Sequence, residues 1–357
     1  MKTSKKIALL ATSILVMLSI FAVLSRLSDK SQDSNSAQSP KCEESESLFD
    51  CLSLWGVSNI NDLQPVLDTL TRYTIEHPTF FVDGCHETWH DVGNAAGEIY
   101  SLEEALSGWA YSCNGGYLHG VMQKAAPLIG VEKFSKDAPN FCKTYQNRPA
   151  VVYYDCWHGV GHGFAELLSF PESMYACSPV AKTPEEYSWC TWGAADFIPE
   201  KFGADSDFKE KITPELPTLC EDLKEGVEAC FRMITPLLYL SGWDFGKIYN
   251  LCSTYTGELR KWCAFGSGQV LGTLWVGGLI ENVEGCSIHE DMSIPCAEGA
   301  GKYVGRASEW TEGYGPEIAP ICVNFKDVAK EACDNSYKYI RDLEVSPSEN
   351  RDITSNW

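Results

Sequence analysis

The sixteen cysteines of this 357-residue chain fall into close couples, and their spacing constrains the fold more than any other feature. Seven couples have members nine to fourteen residues apart, and one further pair is left over. The couples are Cys42 with Cys51, Cys142 with Cys156, Cys177 with Cys190, Cys220 with Cys230, Cys252 with Cys263, Cys286 with Cys296 and Cys322 with Cys333, and the remaining pair is Cys85 with Cys113. An even number of cysteines in such couples favours local disulfides in an oxidising compartment. Connectivity does not follow from sequence, so this pairing is a hypothesis.

The couples recur with the period of a helical-hairpin repeat. From Cys113 onward, their second members are separated by 43, 34, 40, 33, 33 and 37 residues. A glycine follows at the third position after five of them: Gly116, Gly159, Gly193, Gly266 and Gly299. A glycine within a helix costs up to about 1 kcal/mol relative to alanine, so its recurrence suggests that another backbone approaches there. We therefore predict an all-α domain of disulfide-stapled helical hairpins, forming a curved solenoid or an α/α toroid.

The amino-terminal segment indicates where this domain resides. Lys2, Lys5 and Lys6 precede an uncharged apolar run over residues 7–24, which as a helix would be about 27 Å long and close to a bilayer's hydrocarbon thickness. Residues 1–24 are thus predicted to be a signal anchor or signal peptide, which places the rest outside the cytoplasm. The domain would be tethered to the cell membrane by one pass, or secreted after cleavage. A polar linker (25–41), the repeat domain (42–345) and a flexible tail (346–357) would follow.

The net charge of the chain excludes one class of binding partner. The chain has 28 basic and 49 acidic residues and a formal net charge of −21. Because such a surface repels phosphate backbones, nucleic-acid binding is excluded as a general function. The sequence also contains neither a phosphate-binding P-loop nor a haem-attachment motif. A small molecule or a peptide is left as the expected ligand.

Histidines carry the chemistry that this sequence offers. His86 and His90 stand four residues apart, His158 and His162 repeat that spacing, and His119 lies in the repeat between them. Four-residue spacing on a helix places two imidazoles on one face, where they can bind one ion. We predict that these five histidines bind a transition metal, which could be zinc, iron, copper or manganese.

The repeat phase extends this histidine face into a polar stripe. His119 and His162 each lie six residues after their repeat cysteine, and the same position holds Asp196, Gln269 and Lys302 in later repeats. One helical turn further on, the stripe includes Glu166 and Arg306. A stripe that stays polar should line one concave surface or lumen. Glu166 is the predicted carboxylate of the metal site, and Asp196, Gln269, Lys302 and Arg306 are the predicted contacts of an anionic substrate. The resulting hypothesis is a metalloenzyme that activates water or dioxygen.

Three alternatives stay open at this level. The histidines could be hydrogen-bonded core residues, and the domain could be a non-catalytic scaffold or a ligand- or metal-binding module. The third alternative is a zinc peptidase, since residues 86–90 read H-E-x-x-H and Glu87 would act as its general base. Against it, Ala96 stands where the extended motif has its third histidine, and no glutamate follows His158.

Overall fold

The computed structural model describes residues 66–68, 70–71, 85–107, 115–198, 216–240, 242–276, 279–280, 284–287, 289–311 and 321–345. All regular structure in these ranges is helical, and no β-strand occurs within them, so the all-α prediction is confirmed. None of the described helices is both long and apolar enough to cross a membrane. The predicted anchor (1–24), linker (25–41) and tail (346–357) lie outside the described residues and stay predictions.

The described helices alternate between long members and connecting elements. In chain order they are α1 (Cys85–Ile99), α2 (Leu102–Ser107), α3 (Gly116–Ile129), α4 (Val131–Lys143), α5 (Ala150–Leu167), α6 (Glu172–Tyr175), α7 (Pro184–Ala195), α8 (Leu216–Glu221), α9 (Val227–Leu240), α10 (Phe245–Thr254), α11 (Gly257–Val276), α12 (Glu290–Thr311) and α13 (Asp327–Val345). Two 3-10 turns, Glu284–Ser287 and Ile321–Asn324, precede α12 and α13. A capping box on Thr183 fixes the start of α7, where Pro184 occupies the first turn.

The long helices pack side by side in the order α1, α3, α5, α7, α9, α11, α12, α13. The glycine contacts show that neighbouring long helices run parallel, since residue numbers rise in the same direction on both helices across each contact. Gly116 and Gly120 of α3 meet the backbones of His86 and His90 in α1. Gly268 and Gly272 of α11 likewise meet Cys296 and Ala300 of α12, and Gly301 and Gly305 of α12 meet Cys333 and Tyr337 of α13. Parallel neighbours require each connection to return along the helix.

All five phased glycines stand where a neighbouring backbone comes close, as predicted. A Cβ on Gly116 would lie 2.6 Å from the carbonyl oxygen of His86, and one on Gly159 would lie 3.1 Å from that of Leu118. The approach is closer still for Gly193, Gly266 and Gly299, which face the carbonyl oxygens of His158, Phe231 and Phe265. Even a methyl group at most of these positions would push two helices apart.

Six disulfides in the described part have the predicted partners. They are Cys142–Cys156, Cys177–Cys190, Cys220–Cys230, Cys252–Cys263, Cys286–Cys296 and Cys322–Cys333. Each joins a connecting element or loop to the next long helix, which is the stapling that the sequence predicts. Such numbers of disulfides are typical of proteins that fold outside the cytoplasm.

Two of the predicted cysteine couples are not tested by the structure. Cys42 and Cys51 both lie outside the described residues, and so do Cys113 and the side chain of Cys85. The disulfide between Cys42 and Cys51 therefore stays a prediction, as does the pairing of Cys85 with Cys113.

The late helices return to the middle of the series. Helix α13 contacts α5, and a buried ion pair joins Arg306 of α12 to Asp155 of α5. A cavity of about 1770 Å³ is lined by residues of α5, α7, α9, α11, α12 and α13. The buried polar residues Glu185, Thr191 and Lys302 are among those that line it.

Candidate metal centre

Three buried histidines from two adjacent helices form the centre of the site. His119 comes from α3, and His158 and His162 lie one turn apart on α5. Their ring centroids are 4.5 Å (His119–His158), 4.9 Å (His119–His162) and 4.9 Å (His158–His162) apart. One nitrogen from each ring can be chosen so that all three lie within 4.8 Å of one another. The close contact of Gly159 with the backbone of Leu118 brings α3 and α5 near enough for this.

His86 and His90 of α1 extend the group on the other side of His119. The His86 ring centroid lies 5.3 Å from that of His119, and the His90 centroid lies 5.4 Å from that of His162. Two imidazoles on one tetrahedral ion have centroids about 5 Å apart, given metal–nitrogen bonds of about 2 Å. The structure thus brings together all five predicted histidines, which we call the histidine cluster.

The environment of His90 and His119 favours neutral imidazoles. Burial, followed by the neighbouring histidines, lowers the pKa of His119 well below its usual value. Burial and the nearby His162 and His86 lower the pKa of His90 in the same way. Neutral imidazole is the form that binds metal ions. His90 and His119 are therefore in the neutral form before an ion binds.

The ring nitrogens of His119 distinguish a metal site from a hydrogen-bonded core. Both of its ring nitrogens are buried, and neither has a hydrogen-bond partner among the described residues. Leaving a buried polar atom without a partner costs about 1–3 kcal/mol. A hydrogen-bonded core would supply that partner, whereas a bound ion would satisfy the nitrogen directly. The donor set of neutral imidazoles suits zinc, copper, iron or nickel.

Asp196 supplies the carboxylate that contacts the imidazoles. It caps the end of α7, and its Oδ2 lies 2.8 Å from His158 Nε2 and 3.7 Å from His162 Nε2. Burial opposes its ionisation, but His158 and His162 outweigh this effect and hold the pKa of the carboxyl well below its usual range. Sequence reasoning placed Asp196 among the substrate contacts, and the structure places it beside the histidine cluster.

The two predicted catalytic glutamates do not reach the imidazoles in the described part of the chain. Glu166 lies one turn beyond His162, is exposed, and accepts a 2.6 Å hydrogen bond from Gln123. The side chain of Glu87 lies outside the described residues, so its proposed role as a peptidase base stays untested.

Buried cations lie beyond the cluster, on α9 and α12. Lys302 and Arg306, both predicted substrate contacts, are only 7% and 5% exposed. The predicted contact Gln269 is 7% exposed. Arg306 donates a 2.6 Å hydrogen bond to Asp155, and the Lys302 ammonium lies 3.7 Å from Glu228. Burial and nearby Arg232 lower the pKa of Lys302 to about 8, against the opposing effect of Glu228.

Arg232 is a buried residue that sequence reasoning missed. Its guanidinium carbon stands 4.1 Å from the centre of the Trp192 ring, and it lies 3.6 Å from Glu228. Trp192 in turn packs edge-on against His158, with centroids 4.6 Å apart. We call Arg232, Lys302 and Arg306 the cationic group, and Trp192 connects it to the histidine cluster. The repeat phase does not reach Arg232, because Cys230 lacks the phased glycine.

Comparison with protein families, characterised proteins and solved structures finds no match for this chain. The chemistry of these side chains is therefore the guide to function.

Proposed function

We propose that this protein is an extracytoplasmic metalloenzyme whose ion is bound by His119, His158 and His162 and whose substrate is an anionic small molecule or peptide. The observation that carries the proposal is the pair of buried His119 nitrogens without hydrogen-bond partners in the described part of the chain. His158 Nδ1 is also buried and without such a partner there. Three imidazoles leave a coordination position open, as in catalytic rather than structural zinc sites.

Asp196 would orient the site. Its hydrogen bond to His158 Nε2 fixes that ring and leaves Nδ1 for the ion. Carboxylates that hold metal-binding histidines in this way fix the ring orientation and raise its basicity. A bound ion supplies Lewis acidity and activates water or dioxygen. Asp196, whose carboxyl is ionised, would keep the His158 ring in this orientation beside the ion.

The cationic group would hold the substrate. Guanidinium groups bind carboxylates and phosphates through paired hydrogen bonds. These charge-assisted hydrogen bonds are stronger in a buried site than in water. The cavity of about 1770 Å³ is lined by Lys302 and Phe265, and the Lys302 ammonium lies 5.5 Å from the Phe265 ring centre. An anion that enters there would meet Lys302, and side-chain contacts from Lys302 through Glu228, Arg232 and Trp192 would connect it to His158.

The shape and location belong to the same proposal. Parallel long helices in sequence order, with α13 back in contact with α5, favour the α/α toroid over an open solenoid. The apolar run at residues 7–24 would tether this domain to the outer face of a cell membrane.

Metal analysis of the purified full chain tests the proposal. We expect stoichiometric metal in the wild type and its loss in the double variant His158→Ala/His162→Ala. His289→Ala is the matched control, since His289 packs against Tyr249 and lies outside the cluster. A well-folded wild type that holds no metal, and takes up none of the zinc, copper, iron or manganese offered, would remove the proposal.

A second measurement tests the substrate site. Benzoate added to the cobalt-loaded protein should perturb the visible spectrum of the ion, and Arg232→Met should weaken this response at least tenfold. A metal-loaded protein that does not respond to benzoate or phosphate would favour the non-catalytic metal-binding module instead.

A further inference from the structure

The histidine cluster holds more ligands than one ion needs. We propose that it is a dinuclear metal centre, in which a second ion is bound by His86, His90 and the second ring nitrogen of His119. This inference rests on the proposed function, because it takes the ion at His119, His158 and His162 as given. His119 would then be the ligand that both ions share.

The rings can be grouped into two triads that have His119 in common, and His90 of the second triad also lies 5.4 Å from His162 of the first. The first triad, with His158 and His162, has centroid separations of 4.5–4.9 Å. In the second triad, His86 and His90 lie 6.0 Å apart, and their distances to His119 are 5.3 and 6.3 Å. Both triads are near the separation of about 5 Å that a shared ion imposes. The second is the wider of the two, and small side-chain rotations would close it.

The nitrogens of His119 provide an independent observation. A single ion can bind only one of them, which would leave the other buried and without a partner in the described part of the chain. A second ion on the far side of the ring satisfies both nitrogens. His119 would lose its remaining proton to solvent and bind as imidazolate, which also reduces the charge of two adjacent dications.

The second triad also has a residue that orients a ligand. Asn94 Nδ2 lies 3.4 Å from His90 Nδ1, one turn along α1. A contact of this kind fixes the ring and leaves Nε2 as the nitrogen that can bind an ion. His86 and His90 are only partly buried, in contrast to the first triad, so the second ion would be the more accessible one.

Metal stoichiometry separates one ion from two. Metal-free full chain is titrated with zinc(II) and, separately, with copper(II), and bound metal is counted after dialysis. We expect two ions per wild-type chain, one in His86→Ala/His90→Ala, and two in the control His289→Ala. Copper-loaded wild type should show a weakened paramagnetic resonance signal per copper, because the imidazolate couples the two ions, and His86→Ala/His90→Ala should regain the signal of isolated copper.

Each result has a clear reading. One ion in the wild type, unchanged in His86→Ala/His90→Ala, overturns the dinuclear centre and leaves the proposed function intact. No ion in the wild type removes both. If His86→Ala/His90→Ala loses its helical circular dichroism, the single variant His86→Gln replaces it, with one ion expected and two ions counting against the proposal.

Discussion

The histidine half of the domain (α1, α3, α5 and α7) and the cationic half (α9, α11, α12 and α13) are built in the same way but carry opposite chemistry. In the first half the disulfide Cys177–Cys190 precedes Gly193, in the second Cys286–Cys296 precedes Gly299, and both glycines face a neighbouring carbonyl. The interior position of the first half holds two imidazoles and Asp196, whereas that of the second holds Gln269 and Lys302. The backbone repeat is thus independent of the polar stripe, which can therefore vary from helix to helix.

The largest effect is expected when the buried ion pair between the two halves is removed. Asp155 is fully buried and pairs with Arg306, so Asp155→Ala leaves a buried cation without this carboxylate. We expect the free energy of unfolding to fall by about 3–5 kcal/mol. Urea denaturation measures this, with Asp334→Ala in the exposed Lys330–Asp334 pair as control, expected within about 1 kcal/mol of wild type. Equal effects of the two variants would show that the buried pair does not join the halves.

Substitution of the equivalent glycines compares the two backbones. Gly193→Ala and Gly299→Ala should each lower the free energy of unfolding by about 1–3 kcal/mol, because each methyl group meets a carbonyl oxygen. Only Gly193→Ala should also weaken metal binding, since its contact is with the backbone of His158. Gly246→Ala, whose one close contact is the Asp244 side chain, is the control and should be nearly neutral. Equal metal affinity in both variants would contradict the assignment of the ion to the first half.

The equivalent polar positions distinguish the halves by their affinity for metal. Asp196→Asn removes the ionised partner of His158 and should lower metal affinity about 10–100-fold. Gln269→Ala, at the same repeat position in the cationic half, should leave affinity unchanged. Isothermal titration of the metal-free protein gives both values. An effect of Gln269→Ala as large as that of Asp196→Asn would place the ion elsewhere.

The free energy of unfolding should depend on pH in a different range for each half, and the histidine half should respond to acid. For His90 and His119, whose pKa values are lowered by burial, the unfolded chain begins to take up protons below about pH 6.5 while the folded chain does not. Stability of the metal-free protein should thus fall between pH 7 and pH 5, by up to about 1.4 kcal/mol per pH unit for each such histidine. His119→Gln should reduce the slope in denaturation curves.

The cationic half responds at higher pH. Because the pKa of Lys302 is lowered from 10.5 to about 8, stability from this group is present above pH 10.5 and lost as pH falls towards 8. Lys302→Met should remove that alkaline dependence and leave the slope between pH 7 and pH 5 unchanged. A change in the acidic slope would show that the two groups titrate together.

The spacing of residues along the chain predicted much of the site, and the exceptions depend on contacts between different helices. The five histidines meet because their helices pack in register, which the cysteine and glycine phase anticipates. Glu166 fits the same phase yet points to Gln123, one turn past the cluster, and the carboxylate comes from Asp196 on the next helix. Arg232 has no phase signal because Cys230 lacks the phased glycine, and Asp155 has none because its partner Arg306 lies 151 residues away.

Local spacing along the chain was sufficient to predict the helical repeat, the six described disulfides and the face that carries the histidines. The disulfides and the histidine face depend on spacings of fewer than twenty residues, which helix geometry converts directly into contacts, and the repeat shows as a period of 33 to 43 residues. The packing of the whole domain was needed to show that Asp196 contacts the histidines, that Arg232 joins the cationic group, and that Arg306 meets Asp155 across 151 residues. Such contacts depend on the sum of small packing rotations between successive helices, which no local pattern encodes.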